Sequence, residues 1–330
     1  MNKSKPVVLV TGATGFVGGN LVRKLIGRGY AVVCLVRSTS DTHSLETLPV
    51  QLLVADLANP AALRNAAKGV ETVYHVAGAI KAANREAYLR ANKIGTRRLL
   101  ETLAEHSGIR RFVHVSSLAA VGPSPDGIGL NEDREPNPIS WYGESKLESE
   151  KEALAFAKVF QVAILRPSAV YGPGDRETLM LFRMIKRGCL FTPGRFTRRF
   201  SLIHVDDLSA ALIRAGERDL PSGEVFFVSR EEIYTWDEVG RAIAKELGKS
   251  YRRIAFPQHI ARLAGVAGDL WSSVSGRPAT VNSQKVNELL QPFWLCNPAK
   301  ARKFLDFEPE IELDKGIRST VQWYRQQAWI

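Results

Sequence analysis

Short apolar runs alternate with segments of helical periodicity along the first half of the chain. The runs are PVVLVTG, AVVCLVR, QLLVAD, TVYHVAG, RRFVHVSS and VAILRP, and a helical pattern begins after the first at about residue 20. They are rich in β-branched residues and mostly continuous rather than alternating, which is typical of strands buried on both faces. This order predicts an α/β fold, a doubly wound parallel sheet with helices on both faces.

The pattern becomes less regular after Pro167. Glycine and proline interrupt VYGPGDRE, RGCLFTPGRF and DLPSGEV, and the helical patterns there lack paired strands. We therefore predict a sheet domain over residues 1–166, with a later return of the chain to the sheet around residues 202–230. Residues 167–201 and 231–330 are expected to form a smaller C-terminal substrate-binding region beside the sheet.

A glycine-rich turn joins the first strand to the first helix in VVLVTGATGFVGGNLVRKLIGRG. Gly12, Gly15 and Gly18 remove side chains where the turn is tight, where backbone N–H groups approach a pyrophosphate, and where helix meets strand. The glycine spacing is one residue longer than in the common fingerprint, so the strand–turn–helix order carries the argument. This pattern predicts a Rossmann fold with a dinucleotide at the helix N-terminus. Further cofactor contacts are expected from Thr14, Phe16 and Val17.

The end of the second strand indicates which dinucleotide binds. NAD-binding chains usually carry an acidic residue about 20 residues after the glycines, where it bonds the ribose hydroxyls. Here the strand ends in CLVRSTS, so Arg37 would instead meet a 2′-phosphate, with Ser38 and Thr39 as hydroxyl donors. We therefore expect NADP to be preferred over NAD, the alternative being that Arg37 is a solvated surface residue. Asp56, at the end of LLVADL, is placed to reach the adenine amino group or to cap the next turn.

Charge and cysteine content narrow the range of partners. The 330 residues include 45 basic and 34 acidic ones, a formal charge of +11, which suits a nucleic acid, a membrane surface or a phosphate-bearing small molecule. The basic residues are dispersed and no groove-reading helix is recognisable, so no nucleic acid partner is expected. The three cysteines lie far apart, which predicts neither a disulfide framework nor a metal site. No segment resembles a signal peptide or reaches about 18 uninterrupted apolar residues, so we expect a cytoplasmic protein without membrane contact.

Tyr142 and Lys146 stand four residues apart in the predicted helix ISWYGESKLESEKEAL and share one of its faces. The other face, through Glu148, Glu150 and Lys151, is expected to be charged surface. Such a pair alone decides nothing, because it also occurs on ordinary helices. Together with TGATGFVG, ADL, HVAG, SSLAAVG, RPSAVYGPGD and LIHVDDLSAAL, however, YGESK resembles the extended short-chain dehydrogenase/reductases, in order and spacing and over nearly the whole chain.

The resemblance implies that Ser117, Tyr142 and Lys146 are catalytic. Lys146 would favour the phenolate of Tyr142, whose ordinary pKa is about 10, and would hold the nicotinamide ribose. In reduction a nicotinamide gives a hydride to a carbonyl carbon while Tyr142 protonates the oxygen, which Ser117 orients; oxidation is the reverse. Asn92 is expected to have a structural role behind the site. The other residues that the resemblance places at the cofactor are Leu57, Val76, Ala77, Gly78, Pro167 and Val170.

Departures from the family's motifs bear on the reaction. Leu118 and Ala119 stand where sugar-nucleotide 4,6-dehydratases carry an acidic pair, Ala169 replaces an asparagine that binds the diphosphate, and Phe200 replaces an arginine. With Arg37, these departures favour an NAD(P)-dependent oxidoreductase of a ketone or secondary alcohol, resembling dihydroflavonol reductases and 3β-hydroxysteroid dehydrogenases. A sugar-nucleotide epimerase and a non-catalytic NADP-binding sensor are the alternatives. The Tyr/Lys pair argues against the sensor.

Two further segments are not assigned by the resemblance. FRMIKRGCLFTPGRFTRRF could close over an anionic substrate, but a solvated basic face is favoured because arginine and lysine are mostly exposed. IARLAGVAGDLWSSVSG, residues 260–276, is apolar on more than one side; core packing is the default interpretation, and a lid, a membrane-surface contact or a subunit contact are alternatives. The expected partners are a small-molecule substrate and a second copy of the chain, with the helix that bears Tyr142 near the subunit contact.

Overall fold

The chain adopts the α/β fold that the sequence pattern predicts. The computed structural model describes residues 6–55, 59–106, 108–194, 196–276 and 278–330. Two predicted cofactor contacts and one arginine of the basic segment lie outside these ranges, namely Asp56, Leu57 and Arg195.

The strands form one large sheet and two small ones. In the described residues the strands are β1 (Val7–Thr11), β2 (Ala31–Val36), β3 (Val50–Val54), β4 (Thr72–His75), β5 (Arg111–Val115), β6 (Gln161–Pro167), β7 (Ala169–Tyr171), β8 (Cys189–Pro193), β9 (Arg199–His204), β10 (Glu224–Val228), β11 (Ile233–Thr235), β12 (Arg252–Phe256) and β13 (Phe293–Trp294). The large sheet is parallel, in the order β3–β2–β1–β4–β5–β6–β10. Its order reverses between β1 and β4, where such sheets bind ligands at the carboxyl ends of their strands.

Helices cover both faces of the large sheet. The helices described are α1 (Phe16–Gly27), α2 (His43–Glu46), α3 (Pro60–Ala66), α4 (Arg85–Leu89), α5 (Gly95–Leu103), α6 (Trp141–Ala155), α7 (Leu179–Lys186), α8 (Val205–Glu217), α9 (Trp236–Leu247), α10 (Gln258–Ser275), α11 (Ser283–Leu290), α12 (Ala299–Leu305) and α13 (Leu313–Gln326). In β1, Val8 and Val10 belong to the apolar cluster that includes α1 and α8. Leu9 belongs to the cluster that includes α3, α5 and α6. Burial on both faces explains why the strand runs are continuous rather than alternating.

The smaller sheets lie in the C-terminal part of the chain. β9 pairs with β7, β11 and β13, and β8 pairs with β12. A third apolar cluster joins α7, α9 and α13 to them through Phe182, Ile243 and Tyr324. β10 returns to the large sheet beside β6. The domain division stays a prediction. It assigns residues 1–166 and a return at 202–230 to the sheet domain, and the rest of the chain to a substrate-binding region.

The apolar segment at residues 260–276 forms most of α10, and core packing is the wrong interpretation for its large side chains. Its buried residues are the small Ala261, Gly265 and Ser272, whereas Leu270 and Trp271 are exposed. No helix in the described ranges has the length and apolar character needed to cross a membrane. The three cysteines are free thiols, and the described residues contain no group of three or more His, Cys, Asp or Glu suited to a metal ion.

Candidate active site

The glycine-rich turn lies between β1 and α1. Gly12 has a φ of +72°, which L-residues rarely adopt, and a Cβ there would lie 2.7 Å from the backbone nitrogen of Ala77. A Cβ on Gly18 would lie 2.1 Å from the carbonyl oxygen of Gly12. Gly15 is the N-cap of α1 and offers no side-chain cap to the N–H groups of its first turn. The turn is therefore a close backbone cradle that fits a phosphate group.

The turn borders a cleft of about 930 Å³ that reaches from α1 to α6. The predicted cofactor contacts that line this cleft are Gly12, Thr14, Gly15, Phe16, Val17, Gly18, Arg37, Val76, Ala77, Gly78, Tyr142, Lys146, Pro167 and Val170. The predicted contacts thus come together from five separate parts of the chain. A phosphate cradle at one end and the Tyr/Lys pair at the other fit a nicotinamide dinucleotide.

The turn after β2 lies at the edge of this cleft. Arg37 is exposed and lines the cleft, whereas Ser38 is exposed and is not among the lining residues. Ser40 does line it, and the Ser40 Oγ accepts a hydrogen bond from the backbone N–H of Arg37 at 3.2 Å. The prediction for Ser38 therefore fits Ser40 better, because the turn closes back on itself after Arg37.

Ser117 and Tyr142 come together from two different elements. Ser117 follows β5 and starts a 3₁₀ turn, where its Oγ accepts a hydrogen bond from the N–H of Ala119 at 3.1 Å. Tyr142 lies in the first turn of α6, and its hydroxyl is hydrogen-bonded to the side chain of Ser117. The helix can approach so closely because of Gly143, where a Cβ would lie 2.2 Å from the carbonyl oxygen of Ala119. The pair presents two hydroxyls to one bound oxygen atom.

Lys146 lies one turn further along α6 and is only 4% exposed. Its Nζ donates a hydrogen bond to the carbonyl oxygen of Val115 at 2.6 Å, which anchors the ammonium at the end of β5. An ammonium carries three N–H donors, so two remain for other acceptors. Because Lys146 also lines the cleft, these donors suit the hydroxyls of a ribose.

Burial dominates the acid–base properties of this pair. It raises the pKa of Tyr142 to about 12, although the hydrogen bond from Ser117 opposes the shift. It lowers the pKa of Lys146 to about 8, although the Glu150 carboxylate opposes that shift. The expected lowering of the Tyr142 pKa by Lys146 together with a bound nicotinamide ring stays a prediction, since burial sets the pKa of Tyr142 in the chain without cofactor. Tyr142 is protonated at neutral pH, as a proton donor must be.

Asn92 holds the end of β4 from within a single π-helical turn, Arg90–Ile94. Its Oδ1 accepts a hydrogen bond from the N–H of Ala79 at 2.7 Å, and its Nδ2 donates to the Ala79 carbonyl at 3.1 Å. Nδ2 also donates to the Oγ of Ser145 in α6 at 2.8 Å. Asn92 thus ties the cofactor side of the cleft to the catalytic helix, which is the structural role that we expect for it.

A buried ion pair lies behind the catalytic helix and was missed by the sequence analysis. Glu150 is buried, not part of a charged surface, and accepts two hydrogen bonds from the guanidinium of Arg166 at 2.9 and 2.7 Å. Ser116 also donates a hydrogen bond to Glu150. The pair joins α6 to the ends of β5 and β6. Helical spacing could have indicated it, because Glu150 stands four residues after Lys146 on the same face.

A second cavity, of about 330 Å³, opens beside Ser117 and Tyr142. Most of its lining is apolar, and these side chains are Leu118, Ala119, Tyr171, Leu181, Phe182, Phe200, Leu202, Trp236, Val239, Leu289, Trp294 and Ile317. Phe200 stands where the family's motif has an arginine, so the replacement turns a charged position into part of an apolar wall. This cavity suits an apolar molecule whose reactive oxygen meets the two hydroxyls.

Arg198 is a buried cation in the wall of the apolar cavity. Its Nη1 donates a hydrogen bond to the carbonyl oxygen of Pro193 at 2.6 Å, whereas its Nε has no partner among the described residues. Burial lowers the pKa of Arg198, and the neighbouring Arg253 adds to this effect. A buried donor without an acceptor is costly, so Arg198 suits an acceptor oxygen on a bound molecule.

The rest of the basic segment behaves largely as the solvated face that the sequence analysis favours. Lys186 and Arg187 are exposed at the end of α7. Arg183 is exposed and donates two hydrogen bonds to the carbonyl oxygen of Trp329. Arg199 is exposed at the rim of the apolar cavity. Among the described basic residues of this segment, Arg198 is the buried one.

α11 supplies a wall of both cavities that the sequence analysis missed. The Glu288 Oε1 accepts a hydrogen bond from the Oγ of Ser140, the N-cap of α6, at 2.6 Å. Burial is the largest cause of the raised Tyr142 pKa, and the Glu288 carboxylate adds to it. Gln284 accepts a hydrogen bond from the N–H of Trp141 at 3.0 Å. No local pattern in SQKVNELL indicates these contacts, because their partners lie more than 140 residues away.

Comparison with known proteins identifies the family. Residues 8–229 match the model of the NAD dependent epimerase/dehydratase family. A relative described as ceramide reductase, from Caulobacter vibrioides, is 35% identical over 327 residues and covers 99% of this chain and 97% of its own. A putative dihydroflavonol 4-reductase from Synechocystis is 36% identical over 238 residues, 68% of each chain. The solved structure of MoeE5 in complex with UDP-glucose and NAD has a TM-score of 0.77 at 28% identity and covers 97% of this chain and 99% of its own. The chain therefore belongs to the NAD-dependent epimerase/dehydratase family, within the extended short-chain dehydrogenase/reductases that its motifs resemble.

Proposed function

We propose that the protein is an NADP-dependent reductase of a ketone carried by a large apolar molecule of the lipid class. The observation that carries the proposal is the position of the 330 Å³ apolar cavity, whose lining shares Ser117 and Tyr142 with the cofactor cleft. A ketone held in this cavity would place its oxygen at both hydroxyls. The relative described as ceramide reductase supports this substrate class, since ceramide is a lipid with long apolar chains.

The chain's own residues supply the proton and the orientation in this reaction. When bound, the nicotinamide would supply the hydride. Ser117 and Tyr142 donate hydrogen bonds to the ketone oxygen, and Tyr142 transfers its proton as that oxygen gains negative charge. Burial raises the pKa of Tyr142, so its hydroxyl is protonated at neutral pH and can supply the proton that reduction needs. Lys146, anchored on Val115, would hold the ribose hydroxyls with its two remaining donors.

Arg37 supports NADP as the cofactor. It is exposed at the edge of the cleft, directly after β2, where its guanidinium can form two charge-assisted hydrogen bonds to a phosphate. Ser40 offers a hydroxyl from the same turn. The turn RSTS contains no carboxylate that would bond free ribose hydroxyls.

Arg198 supports a substrate with a second oxygen some distance from the ketone. Its side chain lines a cavity wall that is otherwise largely apolar, and its guanidinium is a hydrogen-bond donor there. An amide carbonyl or a carboxylate on the substrate would satisfy this donor. An acyl chain or ring system would fill the remainder of the cavity.

A sugar-nucleotide epimerase is the second candidate, because MoeE5, a structural neighbour at 28% identity, was solved with UDP-glucose and NAD. The described cavity argues against it. A diphosphate needs cationic or amide partners, whereas Phe200 and Ala169 occupy the two positions where the family's motifs would provide them. Phe200 and Ala169 offer a diphosphate only apolar contacts at these two positions. The cations that line the cavity, Arg198, Arg199 and Lys285, stand at other positions.

The test is a substrate screen of the purified protein with NADPH, covering long-chain 3-keto amides, 3-ketosteroids and UDP-glucose. We expect NADPH oxidation with at least one of the lipid ketones. Tyr142→Phe should lower kcat by about 10²- to 10⁴-fold with little change in the Kd for NADPH, because it removes the donated proton but not the binding surface.

Tyr30→Phe is the matched control, since the Tyr30 hydroxyl bonds Glu217 at 2.9 Å, outside both cavities. Full turnover by Tyr142→Phe would exclude the mechanism. Conversion of UDP-glucose in a parallel assay with NAD⁺, without net reduction of the cofactor, would favour the epimerase. NADPH binding without any turnover would favour the sensor.

A further inference from the structure

α10 turns its small residues inward. Its buried side includes Ala261, Gly265 and Ser272. A Cβ on Gly265 would lie 3.0 Å from the Cα of Ser283, and one on Gly268 would lie 1.8 Å from the carbonyl oxygen of Val281. The backbone of α10 therefore lies directly against α11 and the residues before it. This packing leaves no room for large side chains on the inner face.

The large apolar side chains of α10 point outward as a result. Between 48% and 88% of each is exposed, and the residues are Ile260, Leu263, Val266, Leu270, Trp271 and Val274. Their spacing of three, four and seven residues places them along one side of the helix. Six such side chains on one helix form a contiguous exposed apolar face, which soluble surfaces rarely carry without a partner.

The paired strands β8 and β12, the second of which directly precedes α10, carry two further exposed apolar side chains. Phe191 and Ile254 stand opposite each other in the register, and both are more than 40% exposed. β12 leads through Pro257 directly into α10, and the N–H of Gly194, after β8, donates to the carbonyl oxygen of Phe256 at 2.7 Å. We call the exposed apolar side chains of α10 together with Phe191 and Ile254 the docking face.

The charges around the docking face are positive. Asp269 is the one acidic residue within 252–276, and its Oδ1 accepts a hydrogen bond from the N–H of Ser283 at 3.2 Å, so it is engaged on the inner side. Arg252 and Arg262 are exposed, whereas Arg253 is paired with Asp237 at 2.7 Å. An apolar helix face that carries a tryptophan, with one exposed arginine on the helix and another on the strand before it, suits a lipid interface.

We propose that the docking face binds peripherally to the surface of a bilayer that contains anionic lipids. A second copy of the chain is a poorer occupant, because a twofold contact would bring the arginines of two identical faces together without outward carboxylates to meet them. The inner side of α10 packs on α11, and α11 supplies Glu288 and Leu289 to the apolar cavity. A docked chain would therefore hold that cavity close to the membrane.

This proposal differs from the sequence expectation of no membrane contact. The sequence leaves a membrane-surface contact of residues 260–276 as an alternative to core packing, because it does not show that the large side chains of α10 face outward. The proposal goes beyond the proposed function and does not depend on which ketone is reduced.

The test is co-sedimentation of the full chain with vesicles, without substrate or cofactor. We expect binding to phosphatidylcholine vesicles that contain phosphatidylglycerol, and weaker binding to phosphatidylcholine alone. Leu263→Gln with Trp271→Gln should weaken binding at least tenfold, because two large apolar groups are lost without a change of charge. Ile128→Gln with Val159→Gln, two exposed apolar residues on other parts of the chain, is the matched control and should bind normally.

A second measurement does not depend on the double variant. Brominated lipid should quench tryptophan fluorescence in the unsubstituted chain, and Trp271→Phe should lose most of that quenching. Absence of vesicle binding, or equal binding by both double variants, would overturn the proposal. So would light scattering in which Leu263→Gln with Trp271→Gln converts a dimer to a monomer without lipid, since the face would then be a subunit contact. Failure to find a ketone substrate would leave each of these results unaffected.

Discussion

Arg37 is the residue on which cofactor preference depends. It lines the cleft directly after β2, while its side chain is exposed and free to meet a 2′-phosphate. Charge-assisted bonds of this kind are worth roughly 1.5 to 3 kcal/mol, or about 10- to 100-fold in binding. Arg37→Ala should therefore raise the KM for NADPH by about that factor and leave the KM for NADH nearly unchanged.

The measurement is the ratio of the two KM values, before and after the substitution. Arg97→Ala is a suitable control, because Arg97 is exposed, pairs with Glu101 at 2.9 Å and does not line the cleft. An unchanged ratio in Arg37→Ala would show that Arg37 is only a solvated surface residue.

Single residues differ in how far the sequence can predict them. The motifs YGESK and SSLAAVG predict Tyr142 and Ser117 at one site, and both residues line the same two cavities. The direction of the Tyr142 pKa could not be predicted, since it depends on burial by residues from distant segments. Arg198 was likewise unrecognisable among the basic residues of its segment, because only the fold decides which of them is buried.

At the level of elements, the position of the glycine-rich turn against α1 depends on Gly18 more than on Gly19. A Cβ on Gly18 would lie 2.1 Å from the Gly12 carbonyl oxygen, whereas one on Gly19 would make ordinary contacts of 3.4 Å or more. Gly18→Ala must therefore displace the turn from the helix, but Gly19→Ala need not. We expect Gly18→Ala to lower the free energy of unfolding by more than about 2 kcal/mol and to weaken NADPH binding at least tenfold.

Gly19→Ala is the matched control for that prediction. It adds the same methyl group to the same buried helix and should change stability by about 1 kcal/mol or less. Urea unfolding and titration of NADPH fluorescence measure the two effects. Equal results for the two variants would show that the close approach of Gly18 to Gly12 does not hold the turn in place.

Elements with their own periodicity were predictable, and elements defined by their neighbours were not. The strand runs identified β1 to β6 because both faces of the sheet are covered, so each run is largely apolar. α10 has the composition of a core helix, but its glycines allow the inner face to pack so closely that the large residues are left outside. α11 has no distinctive pattern, although it forms a wall of the site.

At the scale of the whole molecule, buried histidines of the large sheet affect both the cofactor cleft and the stability of the fold. His75, at the end of β4, lies between two threonines: its Nδ1 is 2.7 Å from the Thr11 Oγ1 and its Nε2 is 2.8 Å from the Thr96 Oγ1. Thr11 accepts a hydrogen bond from the N–H of Ala77, and Thr96 donates to the carbonyl oxygen of Asn92. This chain of bonds is satisfied by a neutral imidazole protonated on Nε2, because each hydroxyl then donates once and accepts once.

The same arrangement predicts acid sensitivity of the fold. Burial lowers the pKa of His75 to about 3, and the positive charge of Lys146 adds to this effect. Burial likewise lowers the pKa of His114 well below its ordinary value. An unfolded histidine takes up a proton below about pH 6.5, whereas these folded ones do not, so acid favours the unfolded chain. The contribution of these two histidines to the free energy of unfolding is therefore fully present above pH 6.5. It is lost progressively as the pH falls from 6.5 toward 3.

His75→Gln isolates one of these two contributions. The parent should lose about 1.4 kcal/mol of unfolding free energy per pH unit for each buried histidine below pH 6.5, which for His75 amounts to about 2 kcal/mol at pH 5. His75→Gln should be less stable than the parent at pH 7, because its bonds to Thr11 and Thr96 are disturbed, but its stability should fall less steeply with acid. Urea unfolding at pH 7, 6 and 5 gives the change of unfolding free energy with pH in both proteins. Carboxylates titrate in both, so their effect is removed when the slope of the variant is subtracted from that of the parent. Equal slopes in the two proteins would mean that His75 takes up a proton in the folded protein. The series of hydrogen bonds from Ala77 through the neutral His75 to Asn92 would then not be what holds the cofactor side of the cleft together.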